Sequence, residues 1–180
     1  MGSNNDISLK ALAKINLGLD VVRRREDGYH EVRMIMQTIH LYDRLDIKRT
    51  KEPGIQIQTN LSFLPVNENN LIYKAAKLLM DDFSIPDGVS VKLDKRIPVA
   101  AGMAGGSTDA AAMLIGVNRL FSLGLTKREL MERGVQIGAD VPYCIMRGTA
   151  LAEGIGEALS PLPPMVKCPV LIAKPSISVS

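Results

Sequence analysis

The first part of the chain alternates apolar and polar positions with the two-residue period of a β-strand. From Ile7 to Val21 an apolar residue stands at every odd-numbered position, which predicts a strand run with one apolar face. Asp27-Gly28 is a turn signal, so a hairpin is expected there. Further strands are predicted at 32–41 and 45–49 and, after the Pro53-Gly54 turn, at 55–59.

The pattern then changes to the spacing of helices. One apolar stripe over 70–83 predicts an amphipathic helix, and alternation over 89–93 predicts the next strand. Apolar spacing from Ala110 to Phe121 predicts a second helix, and the capping-box pattern from Thr126 to Glu129 predicts a third that ends near Gly138. Strands are also predicted at 148–152 and 170–173. This order favours a two-layer α+β domain.

Composition excludes several classes of function. The 180 residues are 46% apolar and 23% charged, with a net charge of +3, as in an ordinary globular protein. The densest basic run, 23–25, is followed at once by Glu26 and Asp27, which is typical of a solvated turn. A modest positive charge suits a phosphorylated small molecule, and no basic block is long enough to predict binding to nucleic acid.

Cysteine usage and hydropathy indicate a cytoplasmic protein. Cys144 and Cys168 lack the spacing of a zinc site, so two buried thiols in a reducing compartment are expected. Residues 1–6 are polar and lack the apolar centre of a signal peptide. No apolar run approaches the roughly 20 residues that a membrane-spanning helix needs. The sequence therefore predicts no association with a membrane.

The segment 98–112 is rich in glycine and alanine and lies between a predicted strand and a predicted helix. A helix N-terminus offers free N–H groups and the positive end of a dipole, and glycines let a backbone approach an anion closely. The segment lacks the Lys-Ser or Lys-Thr of a P-loop and the full dinucleotide spacing. Phosphate binding is one interpretation, and a tight strand-to-helix turn packed with small residues is the other.

The same segment resembles the second motif of the GHMP kinase superfamily, roughly Pro-x-x-x-Gly-Leu-Gly/Ala-Gly-Ser-Ser. Three other stretches agree with that family in the expected order: Ala13-Lys14-Ile15-Asn16-Leu17, Asp27-Gly28-Tyr29-His30 and Gly138-Ala139-Asp140-Val141-Pro142. The resemblance implies the N-terminal domain fold of these kinases, which is like domain 2 of ribosomal protein S5. It also implies phosphoryl transfer from ATP to a small-molecule alcohol. The Asp-Gly-Tyr-His stretch resembles the member whose substrate carries a cytidine diphosphate group.

Two residues gain catalytic roles through this resemblance. By pattern alone, Lys14 could point outward from its strand, and Asp140 could simply cap a helix. The family places a Lys at the first position beside the substrate hydroxyl and an Asp at the second as catalytic base. Lys14 would then stabilise charge on the transferring phosphoryl group, and Asp140 would accept the proton of the attacking alcohol.

Binding residues follow in the same way. Asn16 shares a strand face with Lys14 and resembles a substrate-contacting Asn, while Tyr29 and His30 resemble the residues at the cytidine end of the substrate. A turn aromatic beside a surface histidine is the structural alternative for that pair. The positions that resemble the ATP site are Pro98, Val99, Ala100, Ala101, Gly102, Met103, Ala104, Gly105, Gly106, Ser107, Thr108, Lys95, Asn70 and Leu71. Asn70 could instead cap its helix, and Lys95 could be an ordinary solvated charge.

The sequence also departs from the family. Ala100, Ala101 and Met103 stand where relatives can have Gly, Gly and Leu, and nothing matches the third glycine-rich motif of the C-terminal domain, since Gly154-Ile-Gly156 is too short. We therefore expect an N-terminal ATP-binding and catalytic domain at 1–160 and the start of a truncated C-terminal domain at 161–180. Mg²⁺ is expected to arrive with ATP, and Ser107 is a weak candidate ligand. A homoserine or mevalonate type of GHMP kinase, or a catalytically idle ATP-binding fragment, stays open.

Overall fold

A six-stranded mixed sheet forms one layer of the molecule, and four helices form the other. The computed structural model describes residues 5–24, 26, 28 and 30–173. In chain order the elements are β1 (Asp6–Arg24), β2 (His30–Thr50), β3 (Ile55–Thr59), α1 (Leu71–Asp82), β4 (Gly88–Asp94), α2 (Gly105–Leu120), α3 (Lys127–Gly134), α4 (Val141–Met146), β5 (Thr149–Glu153) and β6 (Ala158–Pro161). The predicted α+β fold is confirmed.

The long strand β2 organises the sheet. Its whole length pairs antiparallel with β1, while its other edge pairs with β5 over 34–37 and with β4 over 44–50. Strand β3 runs parallel to β4 on the outside of the sheet, and α1 makes the connection between them. The sequence predicted two strands where β2 is one, because Tyr42, Asp43 and Arg44 interrupt the apolar alternation without breaking the strand.

Irregular pairing in the β1–β2 hairpin coincides with a buried lysine. The register shifts between Leu12 and Lys14 and again between Asn16 and Gly18. A regular strand sends neighbouring side chains to opposite faces, yet Ala13 and Lys14 are both buried. The bulge therefore turns Lys14 away from the solvent face that strict alternation predicts for it.

The core lies between the sheet and helix α2. Met36, Leu45 and Ile47 of β2 contribute buried side chains from the sheet, and Met113 and Val117 contribute them from the helix. A Cβ added at Gly116 of α2 would lie 2.3 Å from Ile47 Cδ1, so a glycine is what allows the helix to approach the sheet this closely. This close contact brings the C-terminal half of α2 against β2.

The later part of the chain differs from its prediction. The third predicted helix ends at Gly134, and a separate short helix, α4, begins at Val141. Residues 170–173 form no strand, while the unpredicted β6 pairs with β5. Cys144 is buried as expected, but Cys168 is exposed. Within the described ranges, no helix is both long enough and apolar enough to span a membrane.

Candidate active site

The loop from Pro98 to Ala104 has an unusual backbone. Ala100, Gly102 and Ala104 have positive φ values of 54°, 70° and 54°, while the residues between them do not. Alternation of this kind turns successive backbone N–H groups toward one side and forms a concave anion-binding nest. Two of the three positions carry alanine, for which the left-handed conformation costs about 1–2 kcal/mol each. The loop therefore stores strain in a geometry suited to an anion.

The N-terminus of α2 continues this surface. Its N-cap residue is Ala104, and no side chain in the described part of the chain caps the helix. The first α-helical backbone bond runs from the N–H of Thr108 to the carbonyl of Ala104, so the N–H groups of Gly105, Gly106 and Ser107 have no partner within the helix. The Thr108 hydroxyl does not cap, since it donates to the Leu12 carbonyl at 2.7 Å. Free N–H groups and the helix dipole together favour a bound anion.

Lys14 and Asp140 meet beside this loop. Lys14 Nζ lies 4.0 Å from Asp140 Oδ2 and donates to Asn16 Oδ1 at 3.1 Å. The Lys14 side chain is 7% exposed and that of Asp140 is 33% exposed, so the ammonium is fixed inside while the carboxylate stays accessible. The backbone N–H of Lys14 also donates to the Met103 carbonyl, 3.2 Å away, which ties β1 to the loop.

Asp140 stands at the N-cap position of α4, but its side chain makes no capping bond. Cap residues normally use their side-chain oxygen to accept from the first turn of the helix. Here the carboxylate is left for Lys14 instead, with Pro142 in the first turn of the helix. The Asp140 side chain therefore does not cap α4, which was the alternative that the sequence left open.

One cavity of about 570 Å³ brings the predicted groups together. Its lining includes Lys14, Asn16, Asn70, Leu71, Lys95, the run from Pro98 to Ser107 and Asp140. Thr108 is buried beneath it. A larger cavity of about 900 Å³ lies between β2 and residues 165–172 and has none of these groups in its lining. The smaller cavity is the one with an anion-binding wall and a carboxylate–ammonium pair.

Comparison with known proteins shows which proteins this chain is similar to. Residues 70–148 match the GHMP kinases N terminal domain. The 4-diphosphocytidyl-2-C-methyl-D-erythritol kinase of Lachnoclostridium phytofermentans is 63% identical over 97% of this chain. The likeness to the GHMP kinases thus covers residues 70–148, and the likeness to this relative covers nearly the whole chain. It spans about 60% of the length of that relative.

Two solved structures are similar to this chain. A crystal structure of 4-(cytidine 5′-diphospho)-2C-methyl-D-erythritol kinase matches 87% of this chain and 55% of its own, with a TM-score of 0.76 and 39% identity. A homoserine kinase from Cytophaga hutchinsonii matches 84% of this chain and 50% of its own, with a TM-score of 0.68 at 17% identity. That second likeness concerns the fold alone.

The other residues predicted to bind ATP or the cytidine group differ in whether they reach the cavity. The Asn70 side chain accepts from the Ile72 N–H at 2.9 Å and therefore caps α1, while also facing the cavity. His30 is exposed at the start of β2 and does not line the cavity. Tyr29 lies outside the described residues. The ATP and cytidine roles of these residues stay predictions.

Cys144 is buried near Asp140 and does not line the cavity. Burial, with a smaller contribution from the Asp140 carboxylate, raises the pKa of its thiol to about 12. A thiol with this pKa holds almost no thiolate at neutral pH. The Cys144 thiol is therefore poorly suited to act as a nucleophile.

Sequence reasoning missed two buried carboxylates next to the loop, Asp43 and Asp109. Both contact Lys95, whose ammonium they hold inside the protein. Asp43 falls in the stretch where the sequence predicted a break between strands, and Asp109 lies within the 98–112 segment, where no role of its own was predicted. No local pattern marks Asp43, because β2 also carries Glu31 and Asp46 and the contact with Lys95 is long-range.

Proposed function

We propose that this chain supplies the ATP-binding and catalytic half of an enzyme that phosphorylates 4-diphosphocytidyl-2-C-methyl-D-erythritol. The γ-phosphoryl group of ATP would pass to the 2-hydroxyl of that alcohol, a step of isoprenoid precursor synthesis by the non-mevalonate route. The observation that carries the proposal is the Lys14–Asp140 pair at the cavity walled by the 98–104 loop. Relatives that bear the name of this kinase support the choice of acceptor.

The loop and the start of α2 would hold the ATP polyphosphate. Backbone N–H groups in the nest and at Gly105, Gly106 and Ser107 need no rearrangement to face an anion. Phosphoryl transfer depends mainly on positioning and on stabilising the charge of the equatorial oxygens. A preformed backbone cradle of this kind contributes to both.

Asp140 would act as the base. Its partly exposed carboxylate lines the cavity, 4.0 Å from the ammonium of Lys14, where an acceptor hydroxyl could reach it. The same ammonium would stabilise negative charge on the transferring group. Asn16 holds Lys14 by its side-chain oxygen and is placed to contact the acceptor.

The cavity also fits the Mg²⁺ that accompanies ATP. Ser107 lines it, and a hydroxyl oxygen is a kind of ligand that Mg²⁺ accepts alongside phosphate oxygens. When bound, the ion would neutralise charge on the phosphates. Among the described residues no group of three or more acidic, His or Cys side chains could hold a metal alone, so ATP itself would carry most of the coordination.

Asp140→Asn tests the chemistry. Asparagine keeps the shape of the side chain but cannot accept the proton, so ADP release that depends on the cytidine-containing alcohol should fall at least about 100-fold. Binding of MgATP should change less than about twofold, since backbone groups hold the phosphates. Turnover equal to that of the unchanged chain would rule out Asp140 as the base.

The matched control is Asp81→Asn, at an exposed position on α1 that pairs only with Lys77. It should alter neither turnover nor binding. The catalytically idle fragment remains the second candidate, because the chain spans about 60% of its relative. MgATP binding without any turnover of the unchanged chain, under conditions where a full-length relative is active, would favour it.

A further inference from the structure

Three charged residues form a buried cluster directly beneath the 98–104 loop, here called the buried triad: Asp43, Lys95 and Asp109. Lys95 Nζ donates to Asp43 Oδ2 and, at 2.9 Å, to Asp109 Oδ2. Their side chains are 0%, 5% and 4% exposed in that order. Burying charges costs solvation, and such pairs are weak evidence for stability by themselves. The segments that these three residues connect therefore indicate the role of the cluster.

The buried triad connects both ends of the loop. Asp43 Oδ1 accepts from the backbone N–H groups of Arg96, at 2.5 Å, and Ile97, at 2.7 Å, the two residues that lead into Pro98. Asp109 lies one turn inside α2, the helix that follows the loop. Lys95 joins the two carboxylates, so one continuous set of bonds runs from the loop entrance, through β2, to the helix at the loop exit.

The loop needs anchors of this kind. A strained backbone persists only where the surrounding structure determines it strongly, and Ala100 and Ala104 both have positive φ. From the β1 side the loop is held by the bond between the Lys14 N–H and the Met103 carbonyl. The buried triad is the corresponding attachment at the two ends, where the loop meets β4 and α2.

Lys95 also supports the backbone of the first helical residue. A Cβ added at Gly105 would lie 2.8 Å from Lys95 Nζ, so the ammonium lies directly under the chain at the start of α2. Since two carboxylates hold this ammonium, its position is fixed from below. The N–H groups that face the cavity are thus supported on their protein side by a rigid charged group.

We propose that Asp43, Lys95 and Asp109 are positioning residues that fix both ends of the 98–104 loop and so preorganise it for the phosphates of ATP. This inference rests on the proposed function for its ligand, but its structural part can be measured without any ligand. Lys95 acts here through the backbone, which differs from the direct ATP contact that the sequence suggested.

The charge of the buried triad fits this role. With both carboxylates ionised, the cluster would carry a net negative charge beneath an anion site. Burial raises the pKa of the Asp109 carboxyl well above its usual range, and Asp109 Oδ1 has no hydrogen-bond partner among the described residues. A proton on Asp109 would make the cluster neutral while leaving Oδ2 to accept from Lys95.

The test compares two substitutions of Asp109. Asp109→Asn keeps an oxygen for Lys95 without a charge, whereas Asp109→Leu keeps the size and removes the contact. Hydrogen exchange is measured on the ligand-free 180-residue chain. We expect the amides of residues 99–107 to exchange at least tenfold faster in Asp109→Leu and within twofold of the unchanged chain in Asp109→Asn. Amides of β3 and α3 should stay within twofold in both.

Asp43→Asn is the second variant, since it places an amide N–H₂ against the Lys95 ammonium or gives up the bonds to Arg96 and Ile97. It should loosen the same amides as Asp109→Leu. Asp94→Asn is its control, because Asp94 pairs with Arg96 on the surface nearby. If Asp43→Asn does not fold, the two Asp109 variants decide alone. Unchanged loop exchange, or faster exchange spread evenly over the chain, would overturn the proposal.

Calorimetric binding of MgATP separates the two proposals. Variants with a loosened loop should bind MgATP at least tenfold more weakly than the unchanged chain. A loosened loop with unaltered MgATP affinity would refute preorganisation. If the unchanged chain does not bind MgATP, the proposed function fails at that point, and the exchange data still decide whether the buried triad holds the loop.

Discussion

Ala100 and Ala104 of the 98–104 loop hold a left-handed backbone conformation that glycine adopts without strain. Ala100 and Ala101 are adjacent, but only Ala100 has a positive φ. Replacing Ala100 by Gly removes a left-handed alanine, which offsets the extra freedom of glycine in the unfolded chain. Replacing Ala101 by Gly brings the entropic cost alone, about 0.5–1 kcal/mol. We therefore expect Ala100→Gly to be more stable than Ala101→Gly by about 1 kcal/mol or more.

Chemical denaturation of the two variants, with the unchanged chain as reference, measures this difference. The pair is well matched, because the two positions are neighbours and lose the same methyl group. Equal stabilities would mean that the strain at Ala100 is absent in solution.

The sequence predicted which residues lie together at this cavity better than how they are oriented. Motif spacing brought Lys14, Asp140 and the 98–104 loop together, and the structure places all of them around one cavity. It could not predict that a bulge would turn Lys14 inward, since alternation assigns the opposite face. Asp43 and Asp109 escaped notice because their role depends on long-range contacts with Lys95.

At the scale of elements, local signals succeeded where the interactions are local. The capping box predicted at Thr126 is present, with Glu129 N–H donating to the Thr126 hydroxyl at 3.3 Å and the Thr126 N–H donating to Glu129 Oε2 at 2.8 Å. The split of β2 into two predicted strands failed because that strand is stabilised along both edges by distant partners. Helix α4 is too short for periodicity to reveal.

The capping box of α3 gives a pH-dependent prediction. Hydrogen bonds from the Thr126 hydroxyl and backbone lower the pKa of Glu129 below its ordinary value of 4.5. A carboxyl group whose pKa is lowered in the folded state contributes stability at pH values above its ordinary pKa. That contribution is lost as the pH falls through the lowered pKa. Thr126→Ala should destabilise the chain by about 1 kcal/mol at neutral pH, the usual cost of losing such a cap. That difference should shrink below pH 4.5.

Denaturation at several pH values from 3 to 7, on the order of one unit apart, measures both effects within the range where Glu titrates. Thr126→Ser is the control, since serine retains the hydroxyl and should keep both the stability and its pH dependence. A Thr126→Ala deficit that stays constant down to the lowest pH would show that Glu129 takes no part in the cap.

For the molecule as a whole, this chain spans about 60% of its relative, and the proposed phosphate-binding surface and the proposed base both lie within it. The strand run β1–β2 exposes several apolar side chains, among them Leu17, Leu19 and Val21. An acceptor held on one side only is poorly positioned, and small errors of position can cost about 100-fold in rate. We therefore expect this chain to hold ATP more completely than it holds the acceptor.

We therefore expect a fusion of this chain to the remaining C-terminal part of the Lachnoclostridium phytofermentans relative to turn over at least about 100-fold faster than the chain alone. MgATP affinity should differ much less between the two, because the 98–104 loop and the N-terminus of α2 are present in both. The fusion that carries Asp140→Asn should be inactive, which would attribute the catalysis to this chain's own base. Equal turnover of the chain and the fusion would show instead that the cavity beside Lys14 and Asp140 positions the acceptor without further help.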